Sequence, residues 1–445
     1  MHVSFGTDGV RGVANRQITA ELALALGRAS VRVFGASRVV VGRDTRRSGE
    51  LLESAVVAGI CAEGAEAVPL GVVPTPAVAH AVAAEPASAG VMISASHNPF
   101  PDNGLKLFAP GGLKLDDPTQ HRVEAELDEL LDGSVHPGPT GTATGTVSPS
   151  GSAVGHYTAS VCAAIEGRSL DGLHVVLDTA NGSNSSIGPE VLRRLGARVS
   201  VIADTPDGTN INHDCGSTHP ERLCAAVVAM EADVGVAFDG DADRLLAVDA
   251  SGSVVDGDQL LAICALDLQG RGALHDDAVV VTVMSNLGFR QAMEAAGIEV
   301  VETRVGDRYV LEALEARGLS LGGEQSGHLI FRDLSTTGDG LLSAVIVLDV
   351  LVRSGRRIDE LASVMVRYPQ VLVNVEVASP WPDVAQQLAE EIAAAERDLG
   401  EHGRVLLRPS GTEPLVRVMV EAPTEEEALR VASDLAEDVR HLAAC

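Results

Sequence analysis

Apolar runs too short to be helices alternate with helix-period stretches from Thr19 to Val352, and few folds accept such a chain. Thr19 is a good N-cap, with Leu22, Leu26, Ala29 and Val33 following at helical spacing. Residues 38–41 read as a short buried strand, a second helix opens near Ser48, and 67–70 is another strand. Thr75 before Pro76 reads as an N-cap with Pro at the first helical position. Residues 90–94 form a strand that runs straight into a polar loop. The pattern restarts at 174–177 and reaches the strand 234–238, then starts a third time at 278–284 and ends in the helix 341–352. Such alternation builds α/β layers whose loops gather at strand ends. The three rounds look like variations on one unit.

Residues 136–151 interrupt the pattern: they are rich in Gly, Pro, Ser and Thr, lack periodicity, and read as a boundary. The last part differs. Residues 371–377 alternate as a strand, 384–395 are helical, 404–407 and 416–420 are strands, and Thr424 with Glu427 makes a capping box for a terminal helix. That order suits a small α+β domain, one helix layer on a mostly antiparallel sheet. At about 150 residues per domain, 445 residues make three domains or four short ones.

With 45% apolar and 21% charged residues, wholesale disorder is excluded. Aromatics at 2% leave too few stacking platforms for single-strand binding. Thirty-three basic against 62 acidic side chains give a net charge of −29, which repels nucleic acid and anionic membrane, so neither is an expected partner. The same field repels phosphorylated small molecules, so a phosphate site needs locally concentrated Arg, Lys and backbone N–H groups. Six scattered cysteines without a CxxC pair fit a reducing compartment. With no signal-peptide pattern at the start and no apolar run approaching about 18 residues, a cytoplasmic location is expected.

Four polar loops carry the chemistry. In Ile93-Ser94-Ala95-Ser96-His97-Asn98-Pro99, small residues precede Ser96 and leave its hydroxyl accessible, which suits a nucleophile or phosphate acceptor. Alone it would pass for a turn, and His97, adjacent in sequence, is not expected to face Ser96 as its base. In Asp239-Gly240-Asp241-Ala242-Asp243-Arg244, carboxylates at alternate positions can converge on one hard cation, and the spacing is not that of an EF-hand. Gly322-Gly323-Glu324-Gln325-Ser326-Gly327-His328 is glycine-flanked and suited to hydrogen-bonding hydroxyls, although a plain hairpin turn has the same look. Arg408-Pro409-Ser410-Gly411-Thr412-Glu413-Pro414, with Arg417 beyond, offers two guanidiniums around small hydroxyl residues, as a phosphate dianion requires.

In this order the four loops resemble the α-D-phosphohexomutase superfamily, and the resemblance runs the length of the chain. It extends to Phe5-Gly6-Thr7-Asp8-Gly9-Val10-Arg11-Gly12, Gly42-Arg43-Asp44-Thr45-Arg46, Asp102-Asn103-Gly104-Leu105-Lys106, Cys215-Gly216-Ser217-Thr218-His219-Pro220 and Val305-Gly306-Asp307-Arg308-Tyr309. Gln325 between Glu324 and Ser326 resembles the glucosamine-phosphate branch, since glucose and mannose mutases usually have Met there.

The resemblance implies an α/β fold of four domains around a central cleft, three similar α/β units with mixed sheets plus a smaller C-terminal α+β domain. The expected limits are 1–152 with the phosphoserine loop, 153–253 with the metal loop, 254–367 with the sugar loop and 368–445 with the phosphate loop. It implies a phosphate on Ser96, given to one end of a sugar phosphate to make a 1,6-bisphosphate that turns over before the other phosphate returns. Glucosamine 6-phosphate and glucosamine 1-phosphate would be interconverted, on the route to UDP-N-acetylglucosamine. Asp239, Asp241 and Asp243 would hold Mg²⁺ against an oxygen of phosphorylated Ser96, with Arg244 nearby. Arg11, Lys106 and His328 would move protons, with surrounding cations lowering the Lys106 pKa. Lys106 and Lys114 are the only lysines, which suggests a site where a guanidinium will not serve. Glu324 and Ser326 would anchor sugar hydroxyls, and Arg408, Ser410, Gly411, Thr412 and Arg417 a phosphate. The partner is then a small hexosamine phosphate, and a homo-oligomer is compatible with the sequence. A glucose or mannose phosphate mutase would use the same machinery. An aspartyl-phosphate phosphatase built on Asp239 leaves the Ser96 and Arg408 loops unexplained, and intact Ser96 and acidic residues argue against a purely binding protein.

Overall fold

Among the described residues, four sheets carry the fold. The structure, a computed structural model, describes residues 6, 9–84, 88–134, 136–379, 381–409 and 414–443. The first sheet contains β1 (Val10–Val13), β2 (Arg38–Arg43), β3 (Glu66–Val72), β4 (Ser88–Ile93), β5 (Asp102–Ala109) and β6 (Leu113–Lys114). The second contains β7 (His174–Asp178), β8 (Arg198–Ile202), β9 (Val234–Phe238), β10 (Leu245–Asp249) and β11 (Val254–Val255). The third contains β12 (Ala278–Thr282), β13 (Glu299–Thr303), β14 (Leu321–Gly323) and β15 (Leu329–Phe331).

These three sheets repeat one topology. A central strand (β2, β7 or β12) lies between two parallel neighbours. One neighbour (β4, β9 or β14) then pairs antiparallel with the next strand in the chain (β5, β10 or β15). The order β3-β2-β4-β5 thus recurs as β8-β7-β9-β10 and as β13-β12-β14-β15. The mixed sheets expected from the resemblance are present. A mixed sheet of this form leaves one hairpin connection at the end of each central parallel pair, and three of the polar loops occupy these connections.

Helix Ala20–Phe34 forms where expected, and the Thr19 hydroxyl accepts the Leu22 N–H at 3.2 Å. It packs against helix Gly49–Ala62 so closely that a Cβ on Gly59 would lie 2.1 Å from the Leu24 carbonyl oxygen. Gly59→Ala is expected to destabilise the protein by about 1–3 kcal/mol, because backbone cannot move aside as a side chain can. A thermal melt unchanged from the parent would refute this.

One expectation needs correction. Helix Thr75–Ala83 does start at Thr75-Pro76, but Thr75 is not its cap. Its hydroxyl donates to Asp241 Oδ2 at 2.5 Å and its N–H to the Asp241 carbonyl at 2.9 Å, so the side chain supports the metal loop instead. The 136–151 segment, read as a boundary, is held against the first sheet. Thr146 and Ser148 hydrogen-bond Ala67, so the segment runs beside the edge strand β3 and its polar backbone is satisfied there.

Chain contacts divide the molecule into two compact units, Met1–Val283 with Glu299–Ala362, and Met284–Ile298 with Ser363–Cys445. The second is built on β16 (Gln370–Glu376), β17 (Arg404–Pro409) and β18 (Leu415–Glu421), a three-stranded antiparallel sheet with β18 in the middle. Helix Glu425–Ala443 covers it with Val431, Leu435 and Val439 buried. The helical stretch expected at 384–395 is split into Val384–Gln387 and Ala389–Leu399. Helix Leu287–Ala295 belongs to this unit, since Asn286 Nδ2 donates to the Tyr368 carbonyl and the Leu287 N–H to Glu421.

Candidate active site

Ser96 lies in the β4–β5 connection, 1% exposed, with φ at 52°. Few non-glycine residues hold such a left-handed backbone, and strained positions of this kind cluster at functional sites. The conformation turns the Ser96 hydroxyl toward the β9–β10 connection, where it donates to Asp239 Oδ2 at 2.5 Å. It also puts His97 Nδ1 3.2 Å from Ser96 Oγ, so the expectation that His97 would not face Ser96 is overturned. Adjacent side chains normally diverge; here the left-handed backbone of Ser96 brings both to one side. Burial, then the charges of Arg244 and Arg11, push the His97 pKa down to about 4, so the ring is neutral at pH 7.

Asp239, Asp241 and Asp243 are all buried and offer carboxylate oxygens within 4.8 Å of one another. Burial and then the neighbouring carboxylates of Asp243 and Asp241 raise the Asp239 pKa well above its usual range. Among the described residues, Asp239 Oδ1 and Asp241 Oδ1 are buried with no hydrogen-bond partner. Three crowded carboxylates with unused buried oxygens and no nitrogen or sulfur donor fit a hard divalent cation. Gly240 makes this loop reachable from Ser96: a Cβ there would lie 2.6 Å from the Ser96 carbonyl oxygen.

Lys106, on β5, reaches Asp241 Oδ2 at 2.7 Å and Asp243 Oδ2 at 3.4 Å. Two partners of its Nζ are thus carboxylates of the acidic cluster. Asp243 and Arg244 face a cavity of about 560 Å³, also lined by Arg11, Glu324, Ser326 and His328. Arg11 enters from β1, and Glu324, Ser326 and His328 from the β14–β15 connection. Glu324 is partly buried, and burial, then Asp307, raises its pKa; Ser326 is exposed. Burial opposes the charged form of His328, but Asp307 at 3.2 Å and Asp243 at 3.9 Å outweigh it and raise its pKa. Lys114, given no role by its sequence context, pairs with Asp307, which also lines the cavity.

All of these residues belong to the first unit, and the structure brings Ser96, Lys106, Arg11, His328, Arg244, Glu324, Ser326 and the three acidic residues into one connected set. Asp307, His97 and Thr75 were missed as contributors. Asp307 belongs to one of the family-like stretches, and only folding brings it to Lys114 and His328.

In the second unit, Arg408 and Arg417 face each other across β17 and β18. Like charges directly opposite repel, and burial together with the Arg417 charge lowers the Arg408 pKa. Such a pair favours an anion. Ser410, Gly411 and Thr412 lie outside the described residues, as does part of the stretch from Phe5.

Known proteins give the same picture. Models of the phosphoglucomutase/phosphomannomutase family match in chain order: α/β/α domain I at residues 2–132, domain II at 155–252, domain III at 256–368 and the C-terminal domain at 372–438. The chain is 55% identical to the phosphoglucosamine mutase of Frankia alni and 52% identical to that of Streptomyces avermitilis, each over 98% of both chains. A phosphoglucomutase/phosphomannomutase family protein from Burkholderia thailandensis superimposes with a TM-score of 0.81 at 25% identity, over 98% of this chain and 97% of that one. With all four domain models matched in order and near-complete relatives above half identity, the chain belongs to the phosphoglucomutase/phosphomannomutase family, within the α-D-phosphohexomutase superfamily.

Proposed function

We propose that this enzyme, an isomerase, is a phosphoglucosamine mutase that interconverts glucosamine 6-phosphate and glucosamine 1-phosphate through a phosphorylated Ser96 and a 1,6-bisphosphate. The observation that carries the reading is the hydrogen bond from Ser96 Oγ to Asp239, which joins a buried hydroxyl to a three-carboxylate cluster beside an open cavity. Asp239, Asp241 and Asp243 would hold Mg²⁺, which supplies charge neutralisation for phosphoryl transfer. Ser96 accepts and returns the phosphoryl group, and neutral His97 stands beside its oxygen. Lys106 pairs with Asp241 and Asp243 of the same cluster and, with Arg11 and His328, is assigned to proton movement; Arg244 is assigned to charge on the transferring group. Arg408 and Arg417, with Ser410, Gly411 and Thr412, are read as a phosphate clamp.

The domain limits expected from the sequence belong to this reading, with one adjustment. The pairing of β11 with β10 supports counting Val254 and Val255 with the second domain. A cytoplasmic location is also part of it; no helix among the described residues is long and apolar enough to cross a membrane.

Phosphorus NMR of the purified protein with glucosamine, glucose and mannose phosphates tests the function, and absence of interconversion of the glucosamine pair would overturn it. The two orientations of the bisphosphate give a sharper expectation. A half-turn that exchanges C1 and C6 also roughly exchanges the 3- and 4-hydroxyls, so one pair of anchors serves both poses. Glu324 and Ser326 supply a charged acceptor and a donor-acceptor hydroxyl at the cavity. The C2 amine meets a different environment in each pose. A charge-assisted contact made in one pose only is worth about 1.5–3 kcal/mol, so glucose 1-phosphate should be weaker by roughly 10–150-fold. Glu324→Ala should depress both substrates together; loss confined to the amino sugar would assign Glu324 to the amine.

A further inference from the structure

Gly42-Arg43-Asp44-Thr45-Arg46 carries part of the family resemblance, and the proposed chemistry gives it no task. It begins in the last two residues of β2 and ends in Arg46, whose side chain has no solvent exposure and is the largest fully buried one among the described residues. A buried guanidinium is expensive unless each donor is used. Here each is. Nε donates to Asp44 Oδ2 at 2.9 Å, Nη1 to the carbonyls of Pro99 at 2.5 Å and Asp102 at 2.9 Å, and Nη2 to those of Ser96 at 2.9 Å and Asn98 at 2.7 Å. These are the full set of guanidinium N–H donors, and four of them go to one loop.

Asp44 closes the arrangement. It accepts the Arg46 N–H at 2.9 Å and the Ser94 hydroxyl at 2.6 Å, and Ser94 Oγ accepts the Ser96 N–H at 2.9 Å. The Ser96 peptide is therefore gripped on both sides, its N–H through Ser94 to Asp44 and its carbonyl by Arg46. Asn212 adds a second donor to that carbonyl at 2.8 Å. A carbonyl turned inward and an N–H turned to Ser94 are what a left-handed Ser96 requires, and that backbone aims Oγ at Asp239.

We propose that Arg46, with Asp44 and Ser94 as its extension, is the positioning residue that holds Ser96 in its left-handed, transfer-competent conformation. The proposal rests on the reading of Ser96 as the phosphate carrier. Arg46 is assigned no contact with substrate. Its influence falls on the alignment of the transferring oxygen, so it should alter the rate of the chemical step and leave sugar phosphate binding alone. Lysine cannot replace it, because an ammonium offers three donors on a point centre and cannot span carbonyls spread over seven residues.

The test is steady-state mutase kinetics of full-length parent, Arg46→Lys and Ser94→Ala, with circular dichroism, melting curves and calorimetric binding of glucosamine 6-phosphate. Arg46→Lys that stays folded at the assay temperature should lose about 100-fold in kcat, with KM and the binding constant within about threefold of the parent. Ser94→Ala, a smaller cut, should lose about 3–10-fold in kcat with the same unchanged KM. A merely structural Arg46 would lower the melting temperature but not kcat per folded molecule. Folded Arg46→Lys with parental kcat, or a loss confined to KM, overturns the proposal. Should Arg46→Lys fail to fold, Ser94→Ala decides alone, and parental kcat there overturns it. A parent without mutase activity would instead sink the reading of Ser96 on which this stands.

Discussion

Replacing Ser96 with Ala is expected to lower kcat by at least about 10⁴-fold while leaving the fold intact, because the chain then has no atom to carry the phosphoryl group. The loop around residue 96 is held mainly through its backbone, by Arg46, Asn212 and the Ser94 hydroxyl, and those bonds do not depend on the Ser96 side chain. The melting curve should therefore shift little. Asp239 loses its hydroxyl donor, but its Oδ1 stays available to a cation. Assay by phosphorus NMR and intact-mass analysis of parent and variant together give the answer. A variant with near-parental turnover, or a parent whose phosphate maps to Asp239, would remove Ser96 from its role. The second outcome is the one an aspartyl-phosphate phosphatase predicts.

The candidate site was legible in the sequence to the extent that it is made of short loops after apolar strands. Ser96 and the Asp239-Asp241-Asp243 cluster each stand directly after a strand whose apolar run is unmistakable, whereas Glu324–His328 follows only the three-residue strand Leu321–Gly323, which has no apolar run to mark it. What three separate readings could not give is their equivalence. Each loop is the connection from a parallel strand to its antiparallel partner, at the same position in a repeated sheet order. Strand order is set by pairings between distant residues, and alternation of helix and strand alone does not encode it.

Other parts were hidden because side chains did something other than what their local context suggested. Thr75 before Pro76 has the form of a helix cap, yet its hydroxyl is used by Asp241, 166 residues away. His97 is not expected to face Ser96 because neighbours in sequence usually diverge, and the left-handed φ of Ser96 reverses that. Lys114 and Asp307, 193 residues apart, become a pair only once β6 and helix Asp307–Arg317 are packed. Arg46 has an ordinary sequence environment; its role comes from four carbonyls that converge on it after folding. Long-range polar partners of this kind are fixed by tertiary packing. A local propensity argument has no access to them.

The second large effect is expected at Asp241, and its two oxygens separate the reasons. Oδ2 accepts from Thr75 and Lys106, whereas Oδ1 is buried without a hydrogen-bond partner among the described residues. Asp241→Asn keeps the size and removes the charge, which weakens any cation held by the cluster and the ion pair with Lys106 at once. Activity at ordinary Mg²⁺ should fall by about 100–1,000-fold, and the Mg²⁺ needed for half-maximal rate should rise at least about tenfold. If cation binding is the larger contribution, excess Mg²⁺ restores part of kcat. If Lys106 placement is the larger one, kcat stays low at every Mg²⁺ concentration. Calorimetric titration with Mg²⁺ alone separates the two without reference to turnover. Thr75→Val makes the complementary cut, because it removes a donor to Oδ2 and leaves every charge in place. It should lose less activity than Asp241→Asn and shift the Mg²⁺ requirement only slightly. A parent enzyme fully active after exhaustive chelation, or an Asp241→Asn variant with parental rate and Mg²⁺ dependence, would show that the buried carboxylates serve the fold and not the transfer.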